Sequence, residues 1–162
     1  MILKEDSTEQ KLRGAYYTPL KLAEKMVDFF KKDASIKSIL EPSCGDGVFV
    51  DALVETQFLT KNRKVTAIEI EKNEAQKVAE KLKNNPNVSV VNGDFFEFYQ
   101  KYKDINKYDL ILGNPPYIRY QYLEEKQRME MAEILTSHGM KANKLINTWV
   151  GFIVACVHML ND

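Results

Sequence analysis

The sequence predicts a doubly wound α/β domain: a mainly parallel sheet with helices on both faces. Short apolar or β-branched runs alternate with stretches of helical periodicity, the alternation that parallel strands with right-handed crossovers require. Each apolar run ends in a turn-rich loop, so four loops are expected along one sheet edge, the edge at which such folds bind ligands. A chain of 162 residues, 44% hydrophobic and 28% charged, also suits one ordinary globular core.

Residues 1–14 are polar and read as an arm, which leaves 15–162 as the domain. Thr18-Pro19 reads as a helix start, with Thr18 at the N-cap and Pro19 in the first helical position. Leu22, Ala23, Met26, Val27 and Phe30 then follow at helical spacing. Ser38-Ile39-Leu40 is the first strand, and Val48, Ala52 and Leu53 begin a helix after its loop. Val65 to Ile70 is β-branched and reads as a second strand. An amphipathic helix with Ala75, Val78, Ala79 and Leu82 on one side comes next, stopped by Asn85-Pro86. Val88 to Val91 is the third strand and Tyr108 to Leu112 the fourth. The stretch 118–144 is polar, weakly patterned and reads as mobile. Leu145, Ile146, Trp149, Phe152, Ile153, Cys156, Val157 and Leu160 mark a long helix with a broad buried face. A fifth strand is expected after that helix, so the chain reads as truncated, with the later strands lying beyond it.

Composition excludes several classes. The 23 basic and 23 acidic residues balance, which argues against a strong grip on DNA by this chain alone. Cys44, Cys156, His138 and His158 make no ligand cluster, so no metal is expected. The charged N-terminus lacks an apolar signal region, and no apolar run approaches the roughly 18 residues of a membrane span, a cytoplasmic pattern.

The loops carry the chemistry. Glu41-Pro42-Ser43-Cys44-Gly45-Asp46-Gly47 has the Gly-x-Gly of a nucleotide-binding turn but Val50 where a dinucleotide fingerprint has its third glycine. Glu41 and Asp46 would repel a pyrophosphate, which needs N–H groups without competing anions. They suit a ligand with positive charge, and S-adenosylmethionine carries a sulfonium and an α-ammonium. The alternative is a tight turn with a helix-capping aspartate. Glu69 lies 22 residues after Gly47, near the spacing at which a carboxylate accepts both ribose hydroxyls. Glu71 is its rival, and a solvated strand-end glutamate the alternative. Asp94, before Phe95 and Phe96, can accept a hydrogen bond from an adenine amino group while an aromatic ring packs on the base. The alternative is an Asx-turn beside two core aromatics.

Asn114-Pro115-Pro116-Tyr117 is the most specific feature. The amino group of adenine is a poor nucleophile because its lone pair is delocalised into the ring. Two acceptors on its hydrogens would pull the nitrogen toward tetrahedral geometry, and the Asn114 side-chain oxygen and the Pro115 carbonyl can serve. The prolines hold that carbonyl still. Tyr117 offers a ring for a flipped-out base. Direct displacement then needs neither a covalent intermediate nor a metal.

Together these residues resemble the amino-methylating DNA methyltransferases of restriction–modification systems, in the subgroup whose cofactor domain precedes its recognition domain, including combined restriction–methylation enzymes. Gly14-Ala15-Tyr16-Tyr17-Thr18-Pro19 looks like that family's threonine–proline element, which implies contacts from Tyr17 and Thr18 to the methionine end of the cofactor. Glu41 to Gly47, with Ser43, Gly45 and Asp46, looks like its cofactor loop. Glu69 with Ile70 looks like its ribose site, and Asp94-Phe95 like its adenine-binding pair. Asn114 to Tyr117 matches the catalytic tetrapeptide in full, and Ile118-Arg119-Tyr120 continues it as in the combined enzymes. The resemblance implies S-adenosylmethionine as cofactor and adenine N6 in DNA as target, with DNA grip left to a recognition domain beyond this chain. A further aromatic that sandwiches the base has no counterpart in the sequence. The rival readings are a protein-glutamine or RNA amino-methyltransferase, or a module that binds cofactor without activity. Methylation of cytosine carbon needs a cysteine nucleophile, and no Pro-Cys dipeptide occurs.

Overall fold

The computed structural model describes residues 18–60, 62–142 and 147–161. They fall into two compact units, one of 18–60, 62–114 and 159–161, the other of 115–142 and 147–158.

The first unit is built on a four-stranded sheet of β1 (Ser38–Glu41), β2 (Lys64–Glu69), β3 (Val88–Asn92) and β4 (Leu110–Ile111). Their order is β3-β2-β1-β4, and every pairing is parallel. The helices of this unit are α1 (Leu20–Asp28), α2 (Val48–Glu55), α3 (Lys72–Lys81) and α4 (Phe95–Tyr102). The chain winds outward from β1 through β2 to β3, then returns past β1 to β4. With right-handed crossovers this order puts α2 and α3 on one face and α4 on the other. The winding reverses between β1 and β4, and the carboxyl end of that switch point is where a ligand crevice opens in such sheets. The doubly wound parallel architecture is therefore the one the alternating pattern predicts.

β1 is covered on both faces, and Ile39, Leu40 and Glu41 are all buried. Ala23 and Val27 of α1 and Val50 and Leu53 of α2 join Ile39, Val65 and Leu110 in one apolar core. α1 packs on α2, and α3 runs along β2 and β3.

Several local readings differ from the structure. The N-cap of α1 is Pro19, whose carbonyl accepts from the N–H groups of Leu22 and Ala23. Thr18 does not cap, because its hydroxyl faces Asn114 instead. Ala79 is exposed on α3, where Ala75 and Val78 make the buried contact. α4 was hidden in the sequence because Phe95, Phe96 and Tyr99, all buried, suit a strand end as well as a helix face. β4 is shorter than its apolar run. Asp109 N–H and Leu112 N–H still donate to Ser38 and Leu40 of β1, while Tyr108 donates to the Met159 carbonyl and accepts from the Asn161 N–H. Leu160 thus lies in a parallel bridge on the outer side of β4, the position at which a fifth strand is expected.

The second unit holds a short 3-10 turn (Tyr120–Tyr122), α5 (Glu125–Ser137) and α6 (Thr148–His158). The polar stretch read as mobile is therefore mostly helix. Glu124 and Gln127 form a reciprocal capping box, and Met131, Ile134 and Leu135 supply a narrow buried stripe. α5 packs on α6, and His138 meets His158 edge to face at 4.7 Å. The buried face of α6 is also narrower than its composition suggests. Gly151, Phe152, Ala155 and Cys156 are inside, whereas Trp149, Ile153 and Val157 are exposed. Leu145 and Ile146 lie outside the described residues. No helix among the described residues is long and apolar enough to cross a membrane.

One buried cation fastens the approach to the sheet. The Arg63 guanidinium donates to the carbonyls of Asp33, Ile36 and Phe58 and lies 4.0 Å over the Phe58 ring. It joins the segments that lead into β1 and β2. Arg63→Met keeps the apolar bulk but removes the donor from the carbonyls of Asp33 and Ile36, while Phe58 keeps the Thr60 N–H. A loss of about 2–4 kcal/mol is expected in urea unfolding; a loss below about 0.5 kcal/mol would remove this role.

Candidate functional site

The loops after β1, β2, β3 and β4 meet at one edge of the first unit, and the contacts can be followed atom by atom. An added Cβ on Gly113 would lie 3.2 Å from Pro42 Cδ, so the loops after β4 and β1 come into close contact there. Cys44 N–H donates to the Ile68 carbonyl at 2.8 Å, and Gly93 N–H to the Glu69 carbonyl at 3.0 Å. Asn92 Nδ2 donates to the carbonyls of Glu69 and Ile70.

Glu69 lies at the centre of these contacts, buried at the end of β2. Its Oε2 accepts from the Gly45 N–H at 2.7 Å and its Oε1 from the Glu71 N–H at 2.8 Å. A carboxylate offers about four lone-pair sites, and these two bonds use one on each oxygen. Glu71, the rival, is an exposed residue at the start of α3. Ile70 is 55% exposed beside Glu69, an apolar side chain presented at the loop edge.

The turn after β1 depends on two glycines with positive φ, Gly45 at 54° and Gly47 at 84°. Gly47 is also the N-cap of α2, and a Cβ there would come within 3.0 Å of Val78 Cγ2. The close approach of α2 to α3 therefore requires glycine twice over. Asp46 is exposed in this turn, and Ser43 is half-buried.

Glu41 is only 1% exposed. Burial, reinforced by the carboxylates of Asp46, Asp51 and Glu69, pushes its carboxyl well above the usual range. Its Oε2 and the Ser43 hydroxyl are buried polar atoms with no hydrogen-bond partner. Unsatisfied buried polar atoms are costly, and here two lie at the end of β1 and in its loop, beside the carboxylates of Asp46, Asp51 and Glu69. The acceptor set fits a ligand that brings cationic or hydroxyl hydrogens, and it fits S-adenosylmethionine. It does not fit a diphosphate.

The remaining expected residues fall as follows. Asp94 caps α4, its Oδ1 accepting from the N–H groups of Phe96 and Glu97. The Phe95 ring is 3% exposed and packs in the interior. Asn114 Nδ2 donates to Thr18 Oγ1 at 3.4 Å. Tyr17 lies outside the described residues. The boundary between the two units falls between Asn114 and Pro115. In the second unit Pro115 is buried, whereas Tyr117 is 47% exposed with its ring stacked on Trp149.

Two contributors escaped the sequence reading. Asn92 braces the end of β2, and its only signal is an amide side chain before a Gly-Asp turn. Thr148 binds the chain around Tyr117, and its only signal is a capping-type residue at a helix start.

Residues 9–162 match the Eco57I restriction-modification methylase family. The type II methyltransferase M.HincII of Haemophilus influenzae is 30% identical over 155 residues, which are 96% of this chain and 27% of that protein. A tRNA1(Val) (adenine(37)-N6)-methyltransferase of Glaesserella parasuis is 25% identical over 132 residues, 76% of this chain and 53% of that one. The solved type I restriction-modification methyltransferase subunit of Streptococcus thermophilus superposes with a TM-score of 0.69 at 15% identity, covering 90% of this chain and 32% of that one. Its likeness concerns the fold.

The raised Glu41 carboxyl has a stability consequence with a definite sign. Between the ordinary carboxylate pKa and the raised folded value, the folded protein keeps a proton that the unfolded chain releases. Stability therefore falls as pH rises through that window. Glu41→Gln removes the titration, so the ligand-free variant is expected to melt higher than wild type at about pH 7. The gap should close below about pH 4, where both states of the wild type are protonated. Thermal melts across that range check it; a difference independent of pH contradicts the assignment.

Proposed function

The chain belongs to the Eco57I restriction-modification methylase family, and from that premise we propose that it is the cofactor-binding and catalytic part of a cytoplasmic enzyme that methylates adenine N6 in DNA. The observation that carries the proposal is the place of Asn114. It lies in the loop that follows β4 at the switch point, after Leu112 and Gly113, in the unit that carries the Glu41 and Glu69 carboxylates, and that loop approaches Pro42 at Gly113.

The methyl donor is S-adenosylmethionine, which supplies when bound a methyl group activated by its sulfonium. Glu41, Asp46 and the Ser43 hydroxyl receive the cationic methionine end, with Thr18 on that side. The main chain at Gly45 leaves room for the ligand while its N–H holds Glu69 in place. Glu69 accepts the ribose hydroxyls on its remaining lone pairs, and Ile70 packs against the adenine ring. Asp94 faces the adenine amino group, and Phe95 supports that loop from the interior.

Asn114 Oδ1 and the Pro115 carbonyl accept the two hydrogens of the target amino group. That pairing raises the electron density on nitrogen and aims its lone pair. The ring of Tyr117 stacks on the unpaired base, which has left the duplex at a cost of a few kcal/mol. No side chain forms a covalent bond with the substrate. Sequence recognition belongs to further protein, in keeping with the 27% of M.HincII that this chain spans.

The test is methyl transfer from labelled donor to unmethylated duplex DNA, followed by nucleoside analysis. N6-methyladenine is the expected product. Asn114→Ala should lower transfer by roughly 10²–10³-fold, with cofactor affinity changed less than about twofold. Equal loss of both would remove Asn114 from the chemistry, and transfer to RNA but not to DNA would favour the reading suggested by the tRNA enzyme.

A further inference from the structure

The second unit fastens the chain on both sides of Tyr117 to one residue. Thr148, 3% exposed at the start of α6, donates from Oγ1 to the Pro116 carbonyl at 2.6 Å. The same oxygen accepts from the Ile118 N–H at 3.1 Å, and Thr148 N–H donates to the Ile118 carbonyl at 2.9 Å. A further bridge pairs Arg119 with Asn147. The residue after Thr148 is Trp149, whose ring lies 6.3 Å from that of Tyr117 with 14° between their planes. One helix start thus holds the main chain before and after Tyr117 and stacks against its side chain.

We propose that Thr148 is a positioning residue for the Tyr117 ring. The inference rests on the reading of Tyr117 as the surface on which the target base stacks. Pro116 has already lost its backbone freedom, and Ile118 is tied at both its N–H and its carbonyl. Tyr117 therefore has fixed ends, and its ring, 47% exposed, has one face direction set by Trp149. A ring pre-oriented in this way spares the base the entropy of ordering it. Thr148 touches neither base nor cofactor in this role; it acts through Tyr117.

Trp149 is the sole tryptophan of the chain, so its emission reports on the stacked pair directly. Thr148→Val keeps the shape and removes the hydroxyl. It is expected to move the Trp149 emission toward that of Tyr117→Ala, and to lower kcat roughly ten- to a hundredfold at saturating cofactor. Cofactor affinity should stay within about twofold, and Thr148→Ser should restore both signals. Wild-type emission and kcat in Thr148→Val would overturn the proposal, as would a parallel loss of cofactor affinity or failure of serine to rescue. If the valine variant does not fold, Thr148→Ala takes its place, and the same changes in emission and kcat support or overturn the proposal. If wild-type protein transfers no methyl group to adenine, the functional reading fails while the emission series still decides whether Thr148 sets the Tyr117 ring.

Discussion

The hydrogen bond from the Gly45 N–H to Glu69 Oε2, 2.7 Å long, is the interaction on which the site depends. It locks the turn after β1 to the end of β2. The other carboxylate oxygen takes the Glu71 N–H at the start of α3, and the Glu69 carbonyl takes Gly93 and Asn92 from the loop after β3. One residue therefore sets the relative positions of three loops that lie far apart in sequence. An acidic side chain is needed for this, because N–H donors on both oxygens leave a charged acceptor with lone pairs still to offer. In the proposed reading, binding and architecture share the same atoms.

The surrounding charges show the cost of that arrangement. The carboxylates of Asp46, Asp51 and Glu69 crowd the buried Glu41 and add to the burial that opposes its ionisation. Asp51 has a compensating partner close by, the Lys81 ammonium at 2.7 Å. A core selected for stability alone would not hold Glu41 with an unsatisfied oxygen. Local conflict of this kind supports the proposed ligand site. The fold tolerates it because β1 is anchored elsewhere: by Asp109, whose carboxylate, despite partial burial, is held down at about 2 by the N–H groups of Ser38 and Lys37 and the Asn161 amide, and by Arg63 at the entry to the sheet.

The sheet and its loops were legible because their signals are local. β-branched runs such as Val65 to Ile68 specify strands, and Gly45 and Gly47 occupy a turn whose positive φ would strain other residues. What stayed hidden depended on tertiary context. α4 begins after Asp94, whose Oδ1 accepts the Phe96 and Glu97 N–H groups as in the Asx-turn alternative, but the helix that follows had no signal of its own. α5 buries only Met131, Ile134 and Leu135 among many charges, too thin a stripe to stand out. Trp149 reads as core from its spacing, yet it is 37% exposed and faces Tyr117. The four-loop convergence was deducible from parallel topology, but the knot at Glu69 was not, since it uses main-chain atoms that no motif encodes.

The central claim is that this edge binds a cationic adenosyl ligand through Glu69 and its neighbours, and calorimetric titration tests it most directly. S-adenosylhomocysteine, which keeps the ammonium and the ribose, should bind at one site per chain, NAD should give no heat of binding, and Glu69→Ala should abolish the first signal. Binding of NAD in place of S-adenosylhomocysteine, or unchanged affinity in Glu69→Ala, would contradict it.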